Sequence, residues 1–196
     1  LGSHMANATV AFAHHYGIPV NLVLLKQPIN EHVRQNLLFN AEHDAQMTYA
    51  NNKAVFCWRL LRDYLALGLK DGKLPYFIMP GNSQALSNLG YVNMAFELRQ
   101  QIQAGEMPEP DSIFVSVGSC GTFAGLWLGL YLAGLKSQLI GVQVMDRYVA
   151  NPHAIAKQVR KTCDYLQVQS PGIFARPQIK PEYFNLRQDY LGAGYG

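Results

Sequence analysis

The stretch Val115-Ser116-Val117-Gly118-Ser119-Cys120-Gly121-Thr122-Phe123-Ala124-Gly125 decides how the rest of the chain is read. Its β-branched start predicts a strand, its middle a tight turn, and its end the opening of a helix. Small residues in the turn let backbone amides come close to an anion. The hydroxyls of Ser119 and Thr122 add donors. The helix N-terminus contributes unsatisfied N–H groups and the positive end of a dipole. No Gly-Lys-Ser/Thr follows, so this is not a Walker A loop, and the glycine spacing is not GxGxxG. From these residues alone two readings stand: a phosphate cradle, and an ordinary tight β–α turn.

Working outward, the same strand-then-helix order recurs. Helices are predicted over 6–16, 31–39, 52–69 and 152–166, and an amphipathic helix marked by Tyr91, Ala95, Leu98 and Ile102 ends near Gly105. In the helix over 52–69, Val55, Trp58, Leu61 and Leu65 fall at helical spacing on one face. In the helix over 152–166, Ile155, Val159, Cys163 and Leu166 form one stripe. Strands are predicted over 20–25, 46–50, 75–79, 112–117 and 138–144. The apolar run at 20–25 has the continuity of a strand buried in a parallel sheet. Residues 80–87 read as a loop, and beyond Gln169 the pattern weakens. The alternation argues for an α/β fold with parallel sheets and helices on both faces. Met107-Pro108-Glu109-Pro110 reads as a linker, which places a small α/β domain over 6–107 and part of a larger one over 108–196. Leu1-Gly2-Ser3-His4-Met5 reads as the remnant of a cleaved tag and is set aside.

Composition narrows the function. The 196 residues are 49% hydrophobic and 15% charged, a core-rich balance. The net charge of +3 comes with no long basic run, so nothing points to nucleic acid. No apolar run approaches the roughly 20 residues needed to cross a bilayer. Cys57, Cys120 and Cys163 are odd in number and widely spaced, without zinc-ligand spacing, and read as free thiols in a reducing cytoplasm. His14, His15 and His43 have no partner at ligand spacing, so a surface or interface role is the default.

The segment from Gly118 to Leu126 resembles the Ser/Gly-Gly-Thr-x-Ala-Gly phosphate loop of the fold-type II pyridoxal-phosphate enzymes. It is most similar to the branch of D-cysteine desulfhydrase and 1-aminocyclopropane-1-carboxylate deaminase. Pro80-Gly81-Asn82-Ser83 followed by Leu89-Gly90-Tyr91-Val92 resembles that branch's Gly-Gly-Ser…Leu-Gly-Tyr-Val segment. Val33-Arg34-Gln35-Asn36-Leu37-Leu38 is similar to its Arg-x-Asn-Leu-Leu segment. Gly194-Tyr195-Gly196 is similar to a Gly-Tyr-Gly that brings a tyrosine beside the cofactor. The four matches occur in family order and span nearly the whole chain.

The resemblance implies pyridoxal 5'-phosphate as cofactor. It implies cofactor binding by Gly118, Ser119, Cys120, Gly121 and Thr122, with the backbone N–H of Cys120, not its sulfur, as the functional part. It places Gly81, Asn82 and Ser83 near the substrate, Asn7 at the trace of a Gln-Ser-Asn substrate segment, and Tyr195 in a catalytic position. A small amino acid would be the substrate, 1-aminocyclopropane-1-carboxylate or D-cysteine, giving a 2-oxo acid and ammonia. A cytoplasmic homo-oligomer is expected. The family's Schiff-base lysine lies upstream, in an Asn-Lys-x-Arg-Lys segment, and none of the eight lysines here matches it. Lys53, in Asn51-Asn52-Lys53, is followed by Ala54-Val55-Phe56 and reads as a first-turn residue behind an asparagine N-cap. The chain is therefore expected to be an incomplete, inactive piece of such an enzyme. The rival expectation is a non-catalytic phosphate-binding α/β module or a degenerate interaction protein.

Overall fold

The computed structural model describes residues 3–79, 81 and 83–190. The chain divides after Ile78 into two compact units.

The first unit runs α1 (His4–His15), β1 (Asn21–Leu25), α2 (Glu31–Glu42), β2 (Gln46–Ala50) and α3 (Lys53–Asp71). β1 and β2 pair in parallel, from Asn21 opposite Gln46 to Leu25 opposite Ala50. Asparagines start two of the helices. Asn30 Oδ1 accepts from Val33 N at 2.9 Å and Asn52 Oδ1 from Val55 N at 2.8 Å, each satisfying one donor of a first turn. Gly72, with φ +66°, ends α3 in the left-handed conformation that closes helices. Val10 of α1 and Val33 of α2 are fully buried.

Two expectations for this part of the chain need correction. Residues 75–79 take no strand pairing. Pro75 offers no N–H to a ladder, and a segment that pairs with no neighbour is not a strand. On α3, the stripe carried by Trp58, Leu61 and Leu65 points away from the sheet, with Trp58 58% and Leu61 59% exposed. Leu60 and Tyr64 take the more protected positions. Apolar residues occupy both sides of this helix, so periodicity alone did not distinguish the face that meets the sheet.

The second unit runs α4 (Ala85–Gln103), β3 (Ser112–Val117), α5 (Gly121–Ala133), β4 (Gln138–Gln143), α6 (Pro152–Gln169), a 3-10 turn at Pro181–Tyr183 and β5 (Asn185–Arg187). The sheet order is β3-β4-β5, all parallel. α4 starts inside the segment expected to be loop, with Gln84 N donating to Ser87 Oγ at 3.1 Å. α5 is apolar all round and accordingly buried, with Phe123, Leu126 and Leu128 in the core. α6 buries Ile155, Val159 and Cys163, as its periodicity predicts, and Leu166 packs against the same cluster. Its N-cap is Asn151, whose Oδ1 accepts from Ala154 N at 2.9 Å ahead of Pro152.

β5 extends the sheet with three residues that pattern reading does not reach. Phe184, just before it, is 5% exposed and meets Phe123 and Trp127 edge-on, at ring separations of 6.0 and 5.2 Å. The Pro-rich segment 107–110 is a connection inside this unit, upstream of which α4 already belongs to the second core. Glu109 ties it down: its carboxylate accepts the N–H of Ser137 at 3.1 Å and that of Lys136.

α3 leaves Trp58, Leu61, Leu65 and Leu69 exposed along one side. Apolar patches of this kind mark association surfaces. Light scattering over a concentration series should show the mass rising above that of one chain, and Trp58→Asp should reduce the rise. A constant single-chain mass would remove the patch as an association surface.

Candidate functional site

β3 ends at Val117, which is 1% exposed and whose carbonyl accepts from Val144 N at 3.1 Å. The chain then turns through Gly118, Ser119 and Cys120 into α5, whose first residue is Gly121. Cys120 is the N-cap, with φ +69° and ψ −9°. A side-chain-bearing residue in this region costs roughly 1–2 kcal/mol, which is why glycine is the favoured occupant. The first turn of a helix has no intrahelical acceptor for its N–H groups. Among the described residues, the N–H groups of Gly121 and Thr122 find no other acceptor. They are the donors that this turn, the candidate cradle, offers.

A second segment closes on this turn. Gly81 lies against Ser119: Ser119 Oγ donates to Gly81 O at 3.5 Å, and a Cβ on Gly81 would run into Ser119 Cβ and Oγ. Its φ of +77° excludes most other residues in any case. Ser83 Oγ lies 2.8 Å from where a Cβ on Gly121 would stand, as does Asn88 Oδ1. The fold thus brings Gly81 and Ser83 against Ser119 and Gly121, although about forty positions separate them in sequence. Asn82 lies outside the described residues.

The remaining candidates fall elsewhere. Asn7 sits on α1 in the first unit, where its Nδ2 donates to Asn36 Oδ1 at 2.6 Å. Asn36 Nδ2 is in turn 3.2 Å from His32 Nε2. Two segments singled out in the sequence therefore meet there, through a hydrogen bond between asparagines. Tyr195 lies outside the described residues. His14 faces Asp44 at 3.7 Å and the His43 ring at 5.3 Å, a surface arrangement. The described residues hold no group of three or more His, Cys, Asp or Glu side chains suited to a metal ion, and none of their helices is long and apolar enough to cross a membrane.

Sequence reasoning missed two features. Asn88 is 1% exposed behind the cradle. Its signal was available, since with Val92 and Ala95 it makes up the buried face of α4, where a polar residue is out of place. The other is a cavity of about 340 Å³ at the carboxyl ends of β4 and β5, lined by Gln143, Asp146, Arg147, Tyr148 and Gln188. Ligands of open parallel sheets bind at such strand ends. The loop that lines the cavity reaches the cradle, where Cys120 Sγ donates to Val149 O at 3.5 Å.

The family model described as pyridoxal-phosphate dependent enzyme matches residues 2–196. The matched span includes residues 2–5, and α1 begins at His4. The D-cysteine desulfhydrase of Klebsiella pneumoniae (strain 342) is 38% identical over 128 residues, 64% of this chain and 35% of that protein. A Pyrococcus abyssi (strain GE5 / Orsay) protein described as "Putative 1-aminocyclopropane-1-carboxylate deaminase" is 32% identical over 124 residues, 60% of this chain and 37% of its own length. The matches thus span little more than a third of these relatives. The crystal structure of an ACC deaminase homologue superposes with a TM-score of 0.69 at 22% identity, over 94% of this chain and 53% of that one. This likeness establishes the fold as that of the fold-type II enzymes.

The thiols follow from burial. Cys120 is 2% exposed, and burial pushes its thiol above the ordinary 9.0, against a weaker lowering by a hydrogen bond from the Asn151 backbone. The Cys163 thiol is pushed up to about 11, burial outweighing the nearby Arg176. Both stay protonated at neutral pH, while Cys57 is exposed. Alkylation at pH 8 should therefore modify Cys57 alone in the native chain and all three thiols in denaturant. A raised thiol pKa means the folded state holds its proton more tightly than the unfolded one. The stability it contributes is complete below about pH 9 and is lost as pH rises through about 11. Cys163→Ala should flatten the fall in unfolding free energy across that window; an unchanged slope would contradict the assignment.

Proposed function

Because the chain belongs to the pyridoxal-phosphate-dependent enzymes, we propose that residues 118–122 hold the cofactor's phosphate in a deaminase or desulfhydrase acting on a small amino acid. The observation that carries this reading is the apposition of Gly81 and Ser83 with the turn between β3 and α5. The cradle suits a phosphate. Among the described residues its Gly121 and Thr122 N–H groups meet no acceptor, its glycines leave room for backbone approach, and its thiol stays uncharged. When bound, the cofactor supplies a ring that draws electrons from the carbon beside the substrate's amine.

The protein's own residues contribute binding and orientation. Gly121 and Thr122 offer N–H donors to the phosphate, and the α5 dipole adds attraction. Ser119 and Ser83 border the same space. Arg147 and Gln188 in the adjoining cavity carry donors that an amino-acid carboxylate requires, and Asp146 in the same lining suits an amine by charge; the Gln143 amide nitrogen already donates to Met145 O at 2.7 Å. The similarity to D-cysteine desulfhydrase favours D-cysteine, and the Pyrococcus relative favours 1-aminocyclopropane-1-carboxylate. Either gives a 2-oxo acid and ammonia, with sulfide released from D-cysteine. Lys53 stands in the first turn of α3 behind the Asn52 cap, and Lys136, Lys157 and Lys161 are exposed. We assign the lysine that carries the cofactor to sequence outside this chain. The working enzyme is then a homo-oligomer of a longer protein.

Thr122→Val should weaken binding of pyridoxal 5'-phosphate by about tenfold, as expected when one hydrogen bond to a charged group is lost. Unchanged affinity in a spectroscopic titration would remove the loop from the site. Incubation of this chain with the cofactor followed by borohydride reduction and peptide mapping should give scattered, substoichiometric lysine adducts and no turnover. A single stoichiometric adduct with turnover of D-cysteine or 1-aminocyclopropane-1-carboxylate would refute the assignment of the lysine.

A further inference from the structure

Behind the cradle lies a buried polar pair that the proposed chemistry does not use. Asn88 of α4 is 1% exposed and Thr162 of α6 is fully buried. Asn88 Nδ2 donates to Thr162 Oγ1 at 3.0 Å, and Thr162 Oγ1 donates to Gln158 O at 2.9 Å. A hydroxyl has one proton, and here the Gln158 carbonyl takes it, so Oγ1 must accept from Asn88. That fixes which end of the Asn88 amide is nitrogen. Its oxygen is left facing Gly121, 2.8 Å from where a Cβ on that residue would stand. The backbone carbonyl of Asn88 lies 2.5 Å from the corresponding position on Gly125, one turn further along α5. One residue thus braces two successive turns of α5, at Gly121 and Gly125, and a hydroxyl on a third helix holds it in place.

We propose that Asn88 is a positioning residue for the cofactor's phosphate, with Thr162 as its anchor. This rests on the reading of residues 118–122 as the phosphate cradle. Asn88 does not touch the phosphate. It fixes the height and rotation of the first turn of α5, and with them the direction of the Gly121 and Thr122 N–H groups. A buried carboxamide would otherwise be a poor choice for this face of α4, whose other buried residues are Val92 and Ala95. A buried polar side chain is stabilising only when its partners are placed for it. Here they lie on α6 and, through the close approach to Gly121 and Gly125, on the turn that would bind the ligand.

The test uses pyridoxal 5'-phosphate as the probe, with fluorescence titration for affinity and phosphorus NMR for the environment of the bound phosphate. Asn88→Ala and Thr162→Val should each raise Kd by about fivefold or more and shift the bound phosphorus resonance. Thr162→Ser, which keeps the hydroxyl, should return both to near the parent's values. Val159→Ala, a core deletion one turn away on α6, should lower Tm and leave Kd and the resonance in place. Thr162→Val is nearly isosteric, so it reports even if Asn88→Ala fails to fold. Parent-like Kd and resonance in Thr162→Val, or an equal loss of affinity in Val159→Ala, would overturn the positioning role while leaving the cradle intact. Absence of saturable binding by the parent chain itself would overturn the cradle and this role with it.

Discussion

The close approach of α5 to α4 is the constraint on which the second unit depends. Gly125 and Gly129 have no Cβ because there is no room for one. At Gly129 it would meet Ala95 Cβ and Val92 O at 2.8 Å, and at Gly125 Tyr91 Cβ at 2.7 Å. With the two backbones this near, α5 can be covered by α4 on one side while Phe123 and Trp127 meet Phe184 beside β5 on another. Forcing a methyl group into such a seam costs about 1–3 kcal/mol. The same seam determines where α5 starts. The turn into α5 and the packing of the core are therefore one problem, solved by glycines at intervals of four: Gly121, Gly125 and Gly129.

Much of this unit was legible in the sequence because its local signals agree with its tertiary role. The strand over 112–117 and the turn into α5 were read correctly since β-branched residues, glycines and an apolar helix follow one another without conflict. α6 was legible because its buried face is a single stripe. Legibility failed where partners decide. Residues 75–79 have strand composition but no ladder to join. β5 is three residues long and owes its place to the neighbouring Phe184 ring, which no periodicity reports. On α3, Trp58 and Leu65 satisfy a helical spacing as well as Leu60 and Tyr64 do, and only the sheet distinguishes them.

The candidate site shows the same division. The turn over 118–122 could be read from its own residues, but its second wall could not. That Gly81 and Ser83 lie against Ser119 and Gly121 depends on how α4 folds back over α5, a long-range fact. Asn88 stood within the quoted Leu89-Gly90-Tyr91-Val92 neighbourhood yet drew no notice, because its importance comes from Thr162, 74 residues away. Pro108 and Pro110 marked a real break in secondary structure, but not the boundary between the units. Glu109 holds that segment to the turn before β4 through two backbone N–H groups.

The turn between β3 and α5 carries no ionised side chain of its own: Gly118, Ser119, Gly121 and Thr122 cannot charge at neutral pH, and burial keeps the Cys120 thiol protonated. An anion held there is held by fixed dipoles instead of by a lysine or arginine. Mobile ions screen the attraction between separated charges over a Debye length, about 8 Å at physiological ionic strength. They screen far less the contact between an oxygen and an N–H group at hydrogen-bond distance. Such a turn discriminates by the shape and number of acceptor oxygens more than by total charge. On the proposed assignment, the sheet's carboxyl edge would select a tetrahedral oxyanion by geometry, with an affinity that depends little on ionic strength.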